Sequence, residues 1–322
     1  MSKDTGKNIF LFHGSENYLI KQKECELTER LIPPGTEQMN LSVFEEKGFA
    51  IENLFYATES LPFFNDHRLV ITKNADFFGT RKLDGDAIAA YLQDIPQTTT
   101  LLIIESEIDK RARLFKKISE FGLAQEFVPL QEKDLLQWVV GLFKQKGTVI
   151  SPGVATQLLR TASYSMEAVC SEAEKLISYC RGNPITADAV NAICTKSVES
   201  RIFELTGAIG SKRADEALQL YHNMISLKES PLMILAMIAR QFRLILQCGV
   251  LARQRKSNDE IAAALKIRPF AVREYTAQSR NFTSSTLIQA LRDCLTTDVN
   301  IKTGQMADQL AVEMLIVKHC IV

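Results

Sequence analysis

Every strand-like segment of this chain lies before Leu130, and from there onward helical patterns follow one another to the end. No other feature constrains the fold as much. Alternating β and α segments with continuous aliphatic strands build a mainly parallel sheet covered by helices, whereas an unbroken helical series must pack on itself. The strand candidates are Asn8 to Phe12, Asn40 to Phe44, Arg68 to Thr72, Thr100 to Ile104 and Glu126 to Val128. Helical spacing recurs between them at Ile51 to Thr58, Asp84 to Gln93 and Arg113 to Phe121. His13-Gly14-Ser15 turns the first strand into a helix that Ser15 is placed to cap and that ends before Pro33-Pro34.

The helical series begins with Glu132 to Lys146, Pro152 to Ala162, Ser165 to Cys180 and Thr186 to Cys194. Ser151-Pro152 and Thr186 read as helix starts, and Gly147 and Gly182 as stops. A second series occupies the rest: Arg201 to Gly210, Ala214 to Ser226, Pro231 to Arg255, Ser257 to Leu265, Pro269 to Ser279, Ser284 to Asn300 and Ala307 to Cys320. A chain of 322 residues is long for one hydrophobic core. Three domains are therefore expected: an α/β domain over 1–140, a helical domain over 141–210 and a second helical domain over 211–322.

The net charge is zero, but residues 1–200 hold 22 Lys and Arg against 27 Asp and Glu, while residues 201–322 hold 16 against 11. The front is therefore near −5 and the back near +5. That balance argues against gripping nucleic acid alone, which needs a clustered cationic excess, and fits a subunit that meets DNA within an assembly. The cysteines are Cys25, Cys170, Cys180, Cys194, Cys248, Cys294 and Cys320, scattered without a C-x-x-C pair, which implies reduced thiols. The polar stretch Met1 to Lys7 has no apolar export region, so the expected location is cytoplasmic. The apolar stretch Pro231 to Ala239 runs into Arg240-Gln241 and Arg243 and reads as a buried helix, not a membrane span.

The strand–glycine–helix segment Phe12 to Leu19 occupies the place of a phosphate-binding loop without its chemistry. A G-x-x-x-x-G-K-[ST] loop needs backbone N–H groups and a lysine against the phosphates and a hydroxyl on magnesium. Here Gly14 stands alone, Glu16 adds negative charge, and Lys21 lies a turn too far along. No nucleotide, cofactor or metal is expected. Glu105, after Leu101-Leu102-Ile103-Ile104, then reads as a solvated carboxylate at a strand end. His13, His67, His222 and His319 have no metal-ligand spacing, and no nucleophile motif is present, so a single-chain enzyme is not expected.

Asn258 to Ile267 followed by Arg268-Pro269-Phe270 has a helix-turn-helix pattern and supplies the rival function, a DNA-binding regulator. A groove-reading helix opens on polar side chains, whereas this one opens on Pro269, Phe270, Ala271 and Val272, which favours helix packing. Arg240, Arg243, Arg253, Arg255 and Lys256 form the densest basic run. Such runs are usually solvated faces; Arg240, Arg243 and Arg253, with Lys302, are the candidates for contact with DNA backbone or a neighbouring subunit.

Ser60-Leu61-Pro62-Phe63-Phe64 sets three large apolar side chains around a proline just ahead of the strand Arg68 to Thr72. Proline fixes φ and pushes Leu61 towards an extended conformation, so the aromatic pair opens a new element. Taken alone, the segment reads either as a staple tucked beneath the next strand or as an exposed set of anchors.

Together these segments carry a family resemblance: Gly14 with Glu16 and Tyr18-Leu19-Ile20; Leu61-Pro62-Phe63-Phe64 with Asp66 and Arg68-Leu69-Val70; and Asp109-Lys110-Arg111. The back of the chain adds Ile202-Phe203-Glu204-Leu205, Arg240-Gln241-Phe242-Arg243, Ile267-Arg268-Pro269-Phe270 and Ile301-Lys302-Thr303-Gly304. In this order and spacing the chain resembles the delta subunit of the bacterial DNA polymerase III clamp loader. The resemblance implies an AAA+-like α/β domain with a degenerate phosphate loop, followed by two all-helical domains. It further implies a non-catalytic part of the polymerase holoenzyme that binds the sliding clamp (the beta subunit) and opens its ring for loading onto primed DNA. Implied partners are the gamma/tau motor subunits and delta-prime in a hetero-pentamer, with primed DNA reached through the complex and no membrane. The implied clamp anchors are Leu61 and Phe63, with Pro62 between them and Phe64 as a weaker third. Ala57-Thr58-Glu59 does not supply the glutamine that usually opens a clamp-binding pattern. The arginine-finger motif and zinc cysteines of the delta-prime relative are absent; Ser178-Tyr179-Cys180-Arg181 is not that motif.

Overall fold

The computed structural model describes residues 7–45 and 48–321; the rest of the polar N-terminal stretch lies outside the described residues. The chain divides into two compact units, Met1–Pro129 and Leu130–Val322.

The first unit runs β1 (Ile9–Gly14), α1 (Asn17–Leu31), α2 (Glu37–Asn40), β2 (Leu41–Glu45), α3 (Ile51–Glu59), β3 (Arg68–Lys73), α4 (Lys82–Tyr91), β4 (Thr99–Glu105), α5 (Arg113–Phe121) and β5 (Leu123–Phe127). The strands form one parallel sheet in the order β2-β3-β4-β1-β5, with Leu11 opposite Ile103 and Val70 opposite Leu101. Alternation along each strand feeds two cores. Phe10, Phe12, Leu69, Ile71, Leu102 and Ile104 pack with Ile20 and Leu27 of α1. Ile9, Leu11, Val70, Leu101 and Ile103 pack with Leu54 of α3, Ile88 of α4 and Leu114 and Ile118 of α5. The central strands are buried on both faces, which is why their sequence is continuously aliphatic.

Three local expectations are corrected. Ser15 is exposed and caps nothing; Glu16 holds the N-cap position of α1, and no side chain caps that helix. The last strand is Leu123–Phe127, not Glu126 to Val128. As an edge strand half open to solvent, it tolerates Gln125 and Glu126, so its composition hides it. Asn40 closes the short helix α2 instead of opening β2.

The second unit contains α6 (Glu132–Gln145), α7 (Pro152–Thr161), α8 (Met166–Cys180), α9 (Ala187–Ile193), α10 (Val198–Gly210), α11 (Ala214–Ser226), α12 (Pro231–Arg253), α13 (Asn258–Leu265), α14 (Pro269–Ser279), α15 (Ser284–Lys302) and α16 (Asp308–Ile321). Ser151, Ser165, Thr186, Ser197, Ser257 and Thr283 each cap the helix that follows by accepting a backbone N–H. α6 packs on α7 and α8, and α9 on α7 and α8. A second core gathers Ile202, Leu205 and Ile209 of α10 with Tyr221, Phe242, Ile245, Leu287, Val312 and Ile316. α12 is long and apolar enough to cross a membrane by length and composition, with a mean hydropathy of 1.5 over its best window. Half of that window is buried within the unit, where α12 packs on α10, α13, α14, α15 and α16.

His319 of α16 lies inside this second core, its Nε2 3.0 Å from Asp293 Oδ2, beside the Phe242 ring. Burial pushes its imidazole below the ordinary value; Asp293 pulls the other way, and Lys318 and Lys212 push it further down. The folded state therefore resists the proton more than the unfolded chain does. This contribution to stability is complete above the unfolded value near 6.5 and is lost as pH falls below it. Lowering pH from 7.5 to 5 should reduce the melting temperature of the helical unit, and the drop should be smaller in His319→Gln. Equal drops in the two proteins would remove His319 as the cause.

Candidate functional site

The segment from Ser60 to Asp66 connects α3 to β3 and so stands at the N-terminal end of the parallel sheet. The β1–α1 turn, where a phosphate loop would sit, is at the opposite end. The two places separate in both geometry and chemistry.

At the β1–α1 turn, Gly14 has φ +122°, and a Cβ there would lie 2.1 Å from the Phe127 carbonyl oxygen. The glycine is demanded by the close approach of β5. The Glu16 N–H, which in a phosphate loop would face a ligand, donates to the same Phe127 carbonyl at 3.1 Å. The nearby Lys110 ammonium is held 2.8 Å from Glu126, which keeps that carboxyl below its usual range. His13 is buried against the edge of Phe115 at 6.3 Å, and burial pushes its imidazole down. Glu105 is not the solvated carboxylate expected: it is buried, and its Oε1 accepts the Phe77 N–H at 3.2 Å. It braces the β3–α4 connection.

The opposite end is apolar and open. α3 stops at Ser60, whose hydroxyl and N–H both donate to the Tyr56 carbonyl, at 2.7 and 3.1 Å. Leu61, Phe63 and Phe64 follow with 78%, 51% and 88% of their surfaces exposed. The tucked-staple alternative is thereby excluded, and Phe64 is the most exposed of the three. The two rings meet edge to face, with centroids 4.5 Å apart. Tyr56 and Met39 are also exposed, on neighbouring elements. An exposed aromatic cluster on a chain with ample core is the candidate site at this end of the sheet.

The loop beneath these side chains is tied at several points. Phe64 sits at φ +50°, a left-handed conformation that costs a bulky residue about 1–3 kcal/mol and persists only when its surroundings dictate it. The Asn40 side chain accepts the Phe63 N–H at 2.7 Å and donates to the Phe63 carbonyl at 2.9 Å. Asn65 donates to the Leu31 and His67 carbonyls at 3.0 and 2.6 Å. Arg68 spreads its guanidinium over the Ala57 and Met39 carbonyls and the Ser42 hydroxyl, at 2.8, 2.7 and 2.9 Å. Arg68 stands among the residues that carry the family resemblance, whereas Asn40 and Asn65 belong to no motif, and Asn40 lies 23 residues from its partner Phe63.

The other candidates lie in the second unit. Arg240 and Arg243 are exposed on α12. Arg253 donates to the Gly249 carbonyl and the Ser284 hydroxyl, and Lys302 is paired with Asp298 at 2.8 Å. The helix-turn-helix pattern is real as α13 and α14, with a full capping box at Ser257 and Glu260. Two of its four opening positions face inward: Phe270 and Val272 are buried, Phe270 lies against the Tyr164 ring with centroids 4.1 Å apart, and Arg268 donates to the Tyr164 carbonyl, while Pro269 and Ala271 are half-buried. Phe270 and Val272 are thereby committed to packing and take no part in groove reading.

Family models described as "DNA polymerase III, delta subunit" and "DNA polymerase III delta subunit, C-terminal domain" match residues 10–125 and 199–319. The DNA polymerase III subunit delta of Bacillus subtilis (strain 168) is 28% identical over 319 residues, covering 96% of this chain and 92% of that protein. The probable DNA polymerase III subunit delta of Aquifex aeolicus (strain VF5) is 23% identical over 249 residues, covering 74% and 69%. The solved structure of the Bacillus subtilis DNA clamp loader delta protein matches with a TM-score of 0.78 at 27% identity, covering 98% of this chain and 96% of that one.

Proposed function

This chain belongs to the DNA polymerase III delta-subunit family, and on that premise we propose that it binds the sliding clamp through Leu61, Phe63 and Phe64 and holds the clamp ring open for loading onto primed DNA. The observation that carries the proposal is the display of these three side chains on a loop tied down from beneath. Such a plug works by binding energy: a ring opens if its open form binds the plug better than its closed form. Pro62 keeps Leu61 extended.

In this reading the chain has no catalysis of its own, and the gamma/tau motor subunits hydrolyse ATP. The occupied N–H of Glu16 and the Lys110–Glu126 pair favour that reading of the β1–α1 turn. The helical unit supplies a lid and then a collar that joins delta-prime and the motors in a hetero-pentamer. We move the border between lid and collar from residue 210, where the sequence placed it, back to the α9–α10 connection, because α10 shares its core with α11 and α12. Arg240 and Arg243 are the better candidates for DNA or subunit contact, Arg253 and Lys302 being engaged within the chain. The complex works in the cytoplasm.

Mixing the chain with the sliding clamp of the same organism should give a stable complex by mass photometry without any nucleotide, unchanged by ATP. Failure to form the complex, or a strict need for ATP, would overturn the reading.

A further inference from the structure

We infer that Asn40 is a positioning residue for the plug, fixing the Phe63 peptide and through it the left-handed Phe64, so that both rings are presented in one arrangement before a partner arrives. The inference rests on the reading of Leu61 to Phe64 as the clamp-docking segment.

Asn40 is fully buried and cannot touch a partner. It stands at the junction of α2 and β2, immediately before Leu41, which lies opposite Leu69 of β3. That register brings its amide beneath the α3–β3 loop. One side chain there satisfies both polar groups of one residue: Oδ1 accepts the Phe63 N–H and Nδ2 donates to the Phe63 carbonyl. The arrangement copies the bonded pair of an antiparallel ladder.

A buried amide is costly unless its donors and acceptor are engaged. Swinging Phe63 away would strand Asn40 in the interior, so the loop and the asparagine hold each other. The Phe64 ring is almost wholly exposed, Phe63 about half so, and the two lie edge to face on one another. Asn65, by donating to the Leu31 and His67 carbonyls, braces the far side of Phe64. Ordering a loop before binding removes a cost that a mobile loop meets on association.

The experiment measures clamp affinity of full-length variants by calorimetry. Asn40→Ala should bind at least tenfold more weakly, although no side chain on the docking surface has changed. Asn40→Asp adds a readout that a merely structural role would not move. The ionised carboxylate opposes the Phe63 carbonyl, whereas the protonated carboxyl donates to it and accepts the N–H as the amide does. Its affinity relative to wild type at the same pH should therefore recover at least threefold between pH 8 and pH 5. If Asn40→Ala fails to fold, the aspartate profile decides alone. Wild-type affinity in Asn40→Ala, or a flat ratio for Asn40→Asp across pH, overturns the inference. Loss of the docking reading itself registers elsewhere, as wild-type affinity in a Leu61→Ala/Phe63→Ala protein.

Discussion

Replacing Leu61 and Phe63 together by alanine is expected to weaken binding to the sliding clamp at least tenfold, with the melting temperature almost unchanged. Burying a leucine or phenylalanine side chain yields roughly 1.5–3 kcal/mol, so the three exposed residues together supply about 4.5–9 kcal/mol before association costs of several kcal/mol. Two of them can therefore hold most of the net affinity, as anchor residues do at other interfaces. Because Leu61 and Phe63 are open to solvent in the free chain, truncating them removes little that the fold uses. Adding Phe64→Ala should weaken binding further, since that ring is the most exposed of the three. Surface plasmon resonance against immobilised clamp gives the affinities, and thermal unfolding reports the fold. An unchanged affinity in the folded double variant sinks the site assignment.

The second large effect concerns stability. Gly14→Ala places a Cβ 2.1 Å from the Phe127 carbonyl oxygen at φ +122°, where neither strand can yield without opening the β1–β5 pair. Clash and unfavourable backbone together should cost about 3 kcal/mol or more. Hydrogen exchange should accelerate across Phe10 to Phe12 and in β5, with the α6–α16 helices unaffected. Had Gly14 been kept for phosphate binding, the variant would fold normally. Wild-type protection of β1 would therefore disprove the packing role of this glycine.

The sequence made the strong elements legible and hid the weak ones. β3 and β4 are aliphatic on both faces because both faces are buried, and their short length sets them apart from the longer apolar run that opens α12. β5 carries Gln125 and Glu126 because only β1 pairs with it, and that neighbour is invisible in a local window. The helix starts at Ser151, Ser165 and Thr186 could be read directly, since capping is chemistry between residues three apart. Ser15 looked identical and caps nothing; the Glu16 N–H is taken by the Phe127 carbonyl of the neighbouring strand β5, and Glu16 holds the N-cap position.

For the plug, composition and spacing alone determined that Leu61, Phe63 and Phe64 form an apolar cluster beside a proline, at the end of a helix and the start of a strand. They also determined that the glycine turn does not carry the G-x-x-x-x-G-K-[ST] spacing and that the back half is helical. Which way the cluster faces was decided by tertiary structure. An apolar side chain is equally at home under a strand or against a partner, and only long-range bonds choose between them. Here the choice is made by Asn40 on Phe63, Asn65 on Leu31 and Arg68 on Ala57 and Met39. These contacts span 11 to 34 residues, with no period a sequence could display.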